Sequence, residues 1–148
     1  MTPFQKILVP TDFSPQSENA TCVAADLCQK YSAELTLLYV HEPVRYELPE
    51  GHVANMPSHL DRLFVELNER LDEERQLALA AGARRVDTRL LQGPVAREIV
   101  TFAAGFDLVV VGTRGKQGLE HLVSGSISER VVQMAPCPVL VVRLRTTA

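Results

Sequence analysis

Short apolar runs alternate with longer stretches in which apolar residues recur every three or four positions, and this rhythm continues along the chain. Residues 4–9 read as a buried strand closed by Pro10. Thr11-Asp12-Phe13-Ser14-Pro15 then offers helix-start chemistry, with Ser14 as the cap and Pro15 at the first helical position. Ala20, Val23, Ala24, Leu27 and Cys28 fall on one stripe of a helix reaching about Tyr31. Residues 34–41 form a second strand around Leu35-Thr36-Leu37-Leu38-Tyr39-Val40. Pro43, Pro49, Gly51 and Pro57 break the rhythm over residues 42–57, a connection long enough to mark a mobile lid or disorder.

From Ser58, Leu60, Leu63, Phe64, Leu67 and Leu71 recur at helical spacing. Asp61, Arg62, Glu66, Glu69, Arg70, Glu73 and Glu74 take the opposite face, which predicts one long surface helix with a solvated charged side, stopped near Gly82. A third strand is expected at 86–91, a helix from Val95 to about Ala104, and a fourth strand, apolar on both faces, at 107–112. A loop then covers 113–124, a helix 125–134, and a fifth strand 137–143. Continuous apolar strands separated by helices indicate a parallel sheet covered on both sides. Right-handed crossovers make it a doubly wound α/β fold of one domain spanning residues 1–148; the order expected for its five parallel strands is 3-2-1-4-5.

Composition sharpens this picture by exclusion. The 148 residues, 46% hydrophobic and 22% charged, suit one globular core. A net charge of −3 gives no electrostatic footprint for nucleic acid. No apolar run approaches the roughly 20 residues needed to span a bilayer. Met1 to Lys6 lacks the charged and apolar regions of a signal peptide, so a cytoplasmic protein is expected, with no membrane partner. Cys22, Cys28 and Cys137 lack metal-type spacing. Cys22 and Cys28 lie about 240° apart around one helix and are read as reduced structural thiols. His41, His52, His59 and His121 form no ligand pattern, and His41 and His121 are read as loop or strand-end residues without a role.

The chemistry concentrates after the fourth strand. Gly112-Thr113-Arg114-Gly115-Lys116-Gln117-Gly118 is followed by Gly125-Ser126-Ile127-Ser128 opening a helix. Such glycines let backbone N–H groups turn onto an anion, a helix start presents unpaired N–H groups, and the Ser126 and Ser128 hydroxyls can donate to phosphate. The same residues also fit a Gly-rich surface turn leading into a Ser-capped helix. The spacing is neither G-x-G-x-x-G nor G-x-x-x-x-G-K-[ST].

Gly112-x2-Gly115-x9-Gly125-Ser126 resembles the G-x2-G-x9-G-[ST] signature of the ATP-binding branch of the universal stress protein family. Residues 7–14, 107–115 and 125–142 resemble family segments in family order, and the likeness is weakest over 42–74. The resemblance implies a nucleotide site built from Pro10, Thr11 and Asp12 after the first strand and from Val40 at the end of the second. Val111, Gly112, Thr113, Gly115, Gly125, Ser126, Ile127 and Ser128 complete it. Asp12 corresponds to a nucleoside contact, and the later residues to ribose and phosphate contacts. Asp12 also fits a turn-forming or capping role beside Ser14. The implied ligand is ATP, with Mg²⁺ held mainly by the nucleotide's phosphates.

No nucleophile elbow, P-loop lysine or strand-end metal carboxylate stands near this loop, so no catalytic residue is assigned and binding is favoured over turnover. The resemblance allows slow ATP hydrolysis or autophosphorylation, and a dimeric scaffold without nucleotide is a further alternative. It also implies a stress-response role with a protein partner of unknown identity. The fifth strand, apolar on both faces at a sheet edge, implies a homodimer.

Overall fold

The computed structural model describes residues 4–43, 57–114 and 126–144. Five parallel strands, β1 (Lys6–Pro10), β2 (Glu34–His41), β3 (Val86–Gln92), β4 (Leu108–Arg114) and β5 (Val139–Leu144), form one sheet in the order β3-β2-β1-β4-β5. The expected topology is therefore the observed one. Helices α1 (Pro15–Tyr31), α2 (Pro57–Ala80), α3 (Val95–Phe102) and α4 (Ile127–Met134) connect the strands, and a turn of 3₁₀ helix, Ala103–Gly105, extends α3.

The apolar runs build two cores, one on each face of the sheet. Ile7, Val9, Leu35, Leu37 and Val110 point to one side and pack with Ala20, Ala24 and Cys28 of α1 and Leu71 and Ala78 of α2. Leu8, Leu38, Val40, Val109 and Val111 point to the other and meet Ile99 of α3 and Val131 of α4. Strands apolar on every residue are what burial on both faces requires.

β1 pairs unequally with its two neighbours. Its ladder with β2 runs from Lys6↔Glu34 to Pro10↔Leu38, whereas with β4 it holds only Ile7↔Leu108 and Leu8↔Val109. Asp107 anchors the paired end: its carboxylate accepts from the Gln5 and Lys6 amides at 2.9 Å each, and its own amide donates to the Lys6 carbonyl. These two amide bonds hold the Asp107 carboxyl below its ordinary value. Beyond Leu8 and Val109 the strands diverge, leaving a crevice at their carboxyl ends.

One expectation needs correction here. β4 continues through Thr113 and Arg114, placed above in a loop, because β5 carries the ladder on through Gly112↔Val142, Thr113↔Arg143 and Arg114↔Leu144. Gly112 lies within the strand, as expected. Its missing side chain admits α1, since a Cβ at this position would collide with the Gln16 backbone carbonyl. The left-handed glycines among the described residues are Gly82 and Gly93.

The sheet's two edges differ. β3 exposes Asp87 and Arg89, and Arg75 of α2 donates from Nε to the Val86 carbonyl at 3.0 Å. β5 exposes Leu140 and Val141, at 38% and 39% of their surface.

Because the obstruction at Gly112 is backbone, Gly112→Ala is expected to destabilise the fold by about 1–3 kcal/mol, the usual cost of overpacking. Urea unfolding of the variant beside the parent checks this; an unchanged midpoint would mean that α1 is free to move away.

Candidate functional site

Thr11 prolongs the β1 ladder, its amide donating to the Leu38 carbonyl at 2.8 Å, and then the chain turns sharply. Ser14 caps α1 with its hydroxyl, which accepts from the Ser17 amide, and Pro15 begins the helix as expected. Between them, Asp12 is bound into a local network. Its amide donates to Ser17 Oγ at 3.2 Å, and its Oδ1 accepts from Ser17 Oγ at 2.6 Å and from the Ser14 amide at 3.0 Å. Partial burial alone would raise the Asp12 carboxyl. The hydroxyls of Ser14 and Ser17 and the amides of Ser14 and Asp12 itself reverse that and hold it below its ordinary value, so Asp12 is an anion at neutral pH.

Phe13 adopts a φ of +63°, an outlier for a bulky side chain. Three contacts hold it. Its amide donates to Thr11 Oγ1 at 3.0 Å, its ring stacks on Tyr39 at 4.8 Å between centroids, and the Arg70 guanidinium lies 4.5 Å over the ring centroid. Strain of this kind persists only where the surroundings over-determine it, and it clusters at functional sites.

This turn forms one wall of a cavity of about 390 Å³ at the carboxyl ends of β1 and β4. Of the residues assigned to the site from sequence, Pro10, Thr11, Asp12, Val40, Val111, Gly112, Thr113, Ile127 and Ser128 line it. Ser126 is not among the lining residues; its hydroxyl caps α4 by accepting from the Glu129 amide at 3.2 Å. Gly115 and Gly125 lie outside the described residues, as do Gly118, Lys116, His121 and most of the 42–57 connection. His41 packs edge-on against Phe64, with centroids 5.8 Å apart, and does not line the cavity.

Val95, Ile99 and Val131 were missed from sequence and supply an apolar floor. The signal for α3 was present: Val95 and Ile99 stand four apart on a helix that begins just past the end of β3, so both face the strand ends. Asp12 is the one acidic residue among the described lining residues. Anionic on one side and apolar on another, the cavity can take a flat apolar ring system carrying hydroxyl donors. Cys28 is buried, which pushes its thiol up to about 11, as befits an inert core residue.

The chain matches the model of the Universal stress protein family over residues 3–143. It belongs to the universal stress protein family. A relative in Methanocaldococcus jannaschii, universal stress protein MJ0531, is 38% identical over 143 residues, covering 95% of this chain and 82% of that one. The solved structure of hypothetical protein MJ0577 superposes with a TM-score of 0.76 at 27% identity, covering 97% of this chain and 99% of that one. A universal stress protein in complex with cAMP gives 0.73 at 22% identity, covering 95% and 97% of the two chains. One from Archaeoglobus fulgidus in complex with dAMP gives 0.64 at 19%, covering 93% and 97%.

In this universal stress protein a second feature, Glu74, was assigned wrongly from sequence. Read as part of the solvated face of α2, it is only 5% exposed and sits beneath the turn. Thr11 Oγ1 donates to its Oε2 at 2.8 Å, and Thr21 Oγ1 donates to its Oε1 at 2.6 Å. Leu67, Leu71 and Ala78 are buried on the same helix, and their spacing places residue 74 on the inward stripe, where a charge was not anticipated.

Burial raises the Glu74 carboxyl above its ordinary value of 4.5; the two threonine hydroxyls oppose this, while Glu18 and Asp12 add to it. A carboxyl so raised contributes stability that is complete below its unfolded pKa and is lost as pH rises through the folded one. Glu74→Gln is therefore expected to gain stability relative to the parent as pH rises from 4.5 to 7.5, with the gap narrowing on the acid side. Urea unfolding at both pH values checks this, and a gap independent of pH would contradict it.

Proposed function

We propose that this universal stress protein binds ATP in the crevice between β1 and β4, and that occupancy governs its contact with a protein partner during a stress response in the cytoplasm. The observation that carries the reading is the pairing of an anionic, hydrogen-bonded Asp12 with an apolar floor in one cavity. Its size, about 390 Å³, suits a nucleoside. Two solved proteins of this fold hold adenine nucleotides, cAMP in one and dAMP in the other, which supports an adenine compound here.

Both hydrogen bonds that fix Asp12 fall on Oδ1, so Oδ2 is the oxygen that accepts a ribose hydroxyl. A carboxylate near phosphates would repel them, so this end of the cavity takes the nucleoside. Val40, Ile99 and Val111 border the base, and Thr113 and Ser128 lie on the way to the phosphates. Gly115, Gly125 and Ser126 are the further phosphate contacts that the family signature implies. Mg²⁺ is carried by the phosphates, because Asp12 is the one carboxylate among the described lining residues and it serves the ribose. The same scarcity of acidic groups favours binding over turnover.

The exposed Leu140 and Val141 on the β5 edge are proposed to pair with a second copy of the chain, burying the apolar edge.

Calorimetry is expected to show ATP binding more tightly than GTP. Asp12→Ala should weaken ATP and adenosine alike, by about 1.5–3 kcal/mol, the worth of a hydrogen bond to a charged group. A parent protein with no affinity for any adenosine compound overturns the reading, and an Asp12→Ala effect confined to ATP overturns the role of Asp12. For the edge, light scattering is expected to show a dimer that Val141→Lys converts to a monomer; a parent that is monomeric at tens of micromolar, where specific dimers should form, counts against it.

A further inference from the structure

We propose that Glu74 is a positioning residue for the nucleotide cavity: from beneath the turn after β1 it orients the Thr11 hydroxyl, and through Thr11 it sets the conformation that presents Asp12 to ligand. The inference rests on the nucleotide-binding reading above, and the geometry of the turn gives it a separate footing.

Thr11 has one hydroxyl proton, and Glu74 Oε2 takes it at 2.8 Å. With that proton directed toward α2, the Thr11 oxygen presents its lone pairs to the Phe13 amide, 3.0 Å away. That bond helps hold Phe13 at its left-handed φ of +63°. Asp12 stands between the two residues so fixed, and its carboxylate reaches Ser17 Oγ from this one conformation of the turn. Arg70, one helical turn before Glu74, lies over the Phe13 ring, so α2 grips the turn at two points.

A role confined to packing is a poor account of this side chain. The stripe to which it belongs is otherwise apolar, with Leu67, Leu71 and Ala78 buried around it. A buried carboxylate there works against stability unless its hydrogen bonds offset the loss of water. Its two hydroxyl donors come from different elements, Thr11 beside the cavity and Thr21 on α1, so the carboxylate joins the turn to two helices.

Three variants test this. Glu74→Met keeps the length of the side chain and removes both acceptors. Glu74→Asp keeps the charge and withdraws it by one methylene, beyond the reach of Thr11. Glu74→Gln offers its carbonyl to Thr11 and its NH₂ to the Thr21 oxygen, and so retains the link. ATP affinity measured by calorimetry, well below the unfolding temperature, is expected to fall roughly tenfold with Met or Asp and to stay within about threefold of the parent with Gln. In an Asp12→Asn background, Glu74→Met should cost little more, because its effect passes through Asp12. A merely structural residue would give additive losses.

The turn is also read without nucleotide, by hydrogen exchange at the Asp12 and Phe13 amides. Exchange should quicken in Glu74→Met and Glu74→Asp and remain at the parental rate in Glu74→Gln. Unchanged exchange and unchanged affinity in folded Met and Asp variants would overturn the proposal. Quickened exchange in a protein that binds no nucleotide would leave Glu74 setting the turn while refuting the nucleotide reading, and the proposed service to a nucleotide site would fall with it. If Glu74→Met does not fold, Glu74→Asp carries both measurements.

Discussion

The functional end of this molecule depends on how soon β1 and β4 stop pairing. Two residue pairs join them, after which the strands part, while on its other side β1 stays bonded to β2 as far as Pro10. Asp107 fastens the paired end by taking the Gln5 and Lys6 amides, at the start of β1, on one carboxylate oxygen. The crevice is therefore a consequence of backbone hydrogen bonding: β1 follows β2, β4 follows β5, and the space between them opens toward the carboxyl ends. In open α/β sheets this is where ligands sit, at the point where the winding reverses direction.

What fills the walls of that crevice is set by alternation along the strands and by the helices they feed. Val40 and Val111 supply apolar surface from β2 and β4, and Ile99 and Val131 add to it from α3 and α4. The polar wall comes from the turn after β1, where Ser14 and Ser17 hydrogen-bond Asp12 while the Ser14 hydroxyl caps α1 by accepting from the Ser17 amide. Capping and site construction are one arrangement of hydrogen bonds here. A change made to one is felt by the other.

Much of this was legible in the sequence. Apolar runs of strand length separated by 3.6-periodic stretches pointed to a doubly wound parallel sheet, and the expected order 3-2-1-4-5 is the one observed. Ser14-Pro15 marked the start of α1. Other features depend on partners far along the chain and left weaker traces. β4 reaches Arg114 because β5 carries the ladder there, a pairing that Gly112 and Thr113 do not announce by themselves. Gly112 lines the cavity, and the Gln16 carbonyl packed against it gives its missing side chain a second reason that no local pattern shows. Glu74 carried a charge at a position whose spacing marks it as core, and the charge was given more weight than the spacing. No local rule anticipates Phe13 at positive φ, since its contacts with Tyr39 and Arg70 come from β2 and α2.

The unlike edges of the sheet bear on the size of any assembly. β3 is defended by Asp87 and Arg89 and by the Arg75 side chain bonded to the Val86 carbonyl, so further strands meet charge and an occupied acceptor. β5 has exposed apolar residues in the corresponding place. Growth by edge addition is therefore self-limiting: two copies joined through β5 would present only their guarded β3 edges to solvent. Such a pair would have no free β5 edge left to extend the sheet.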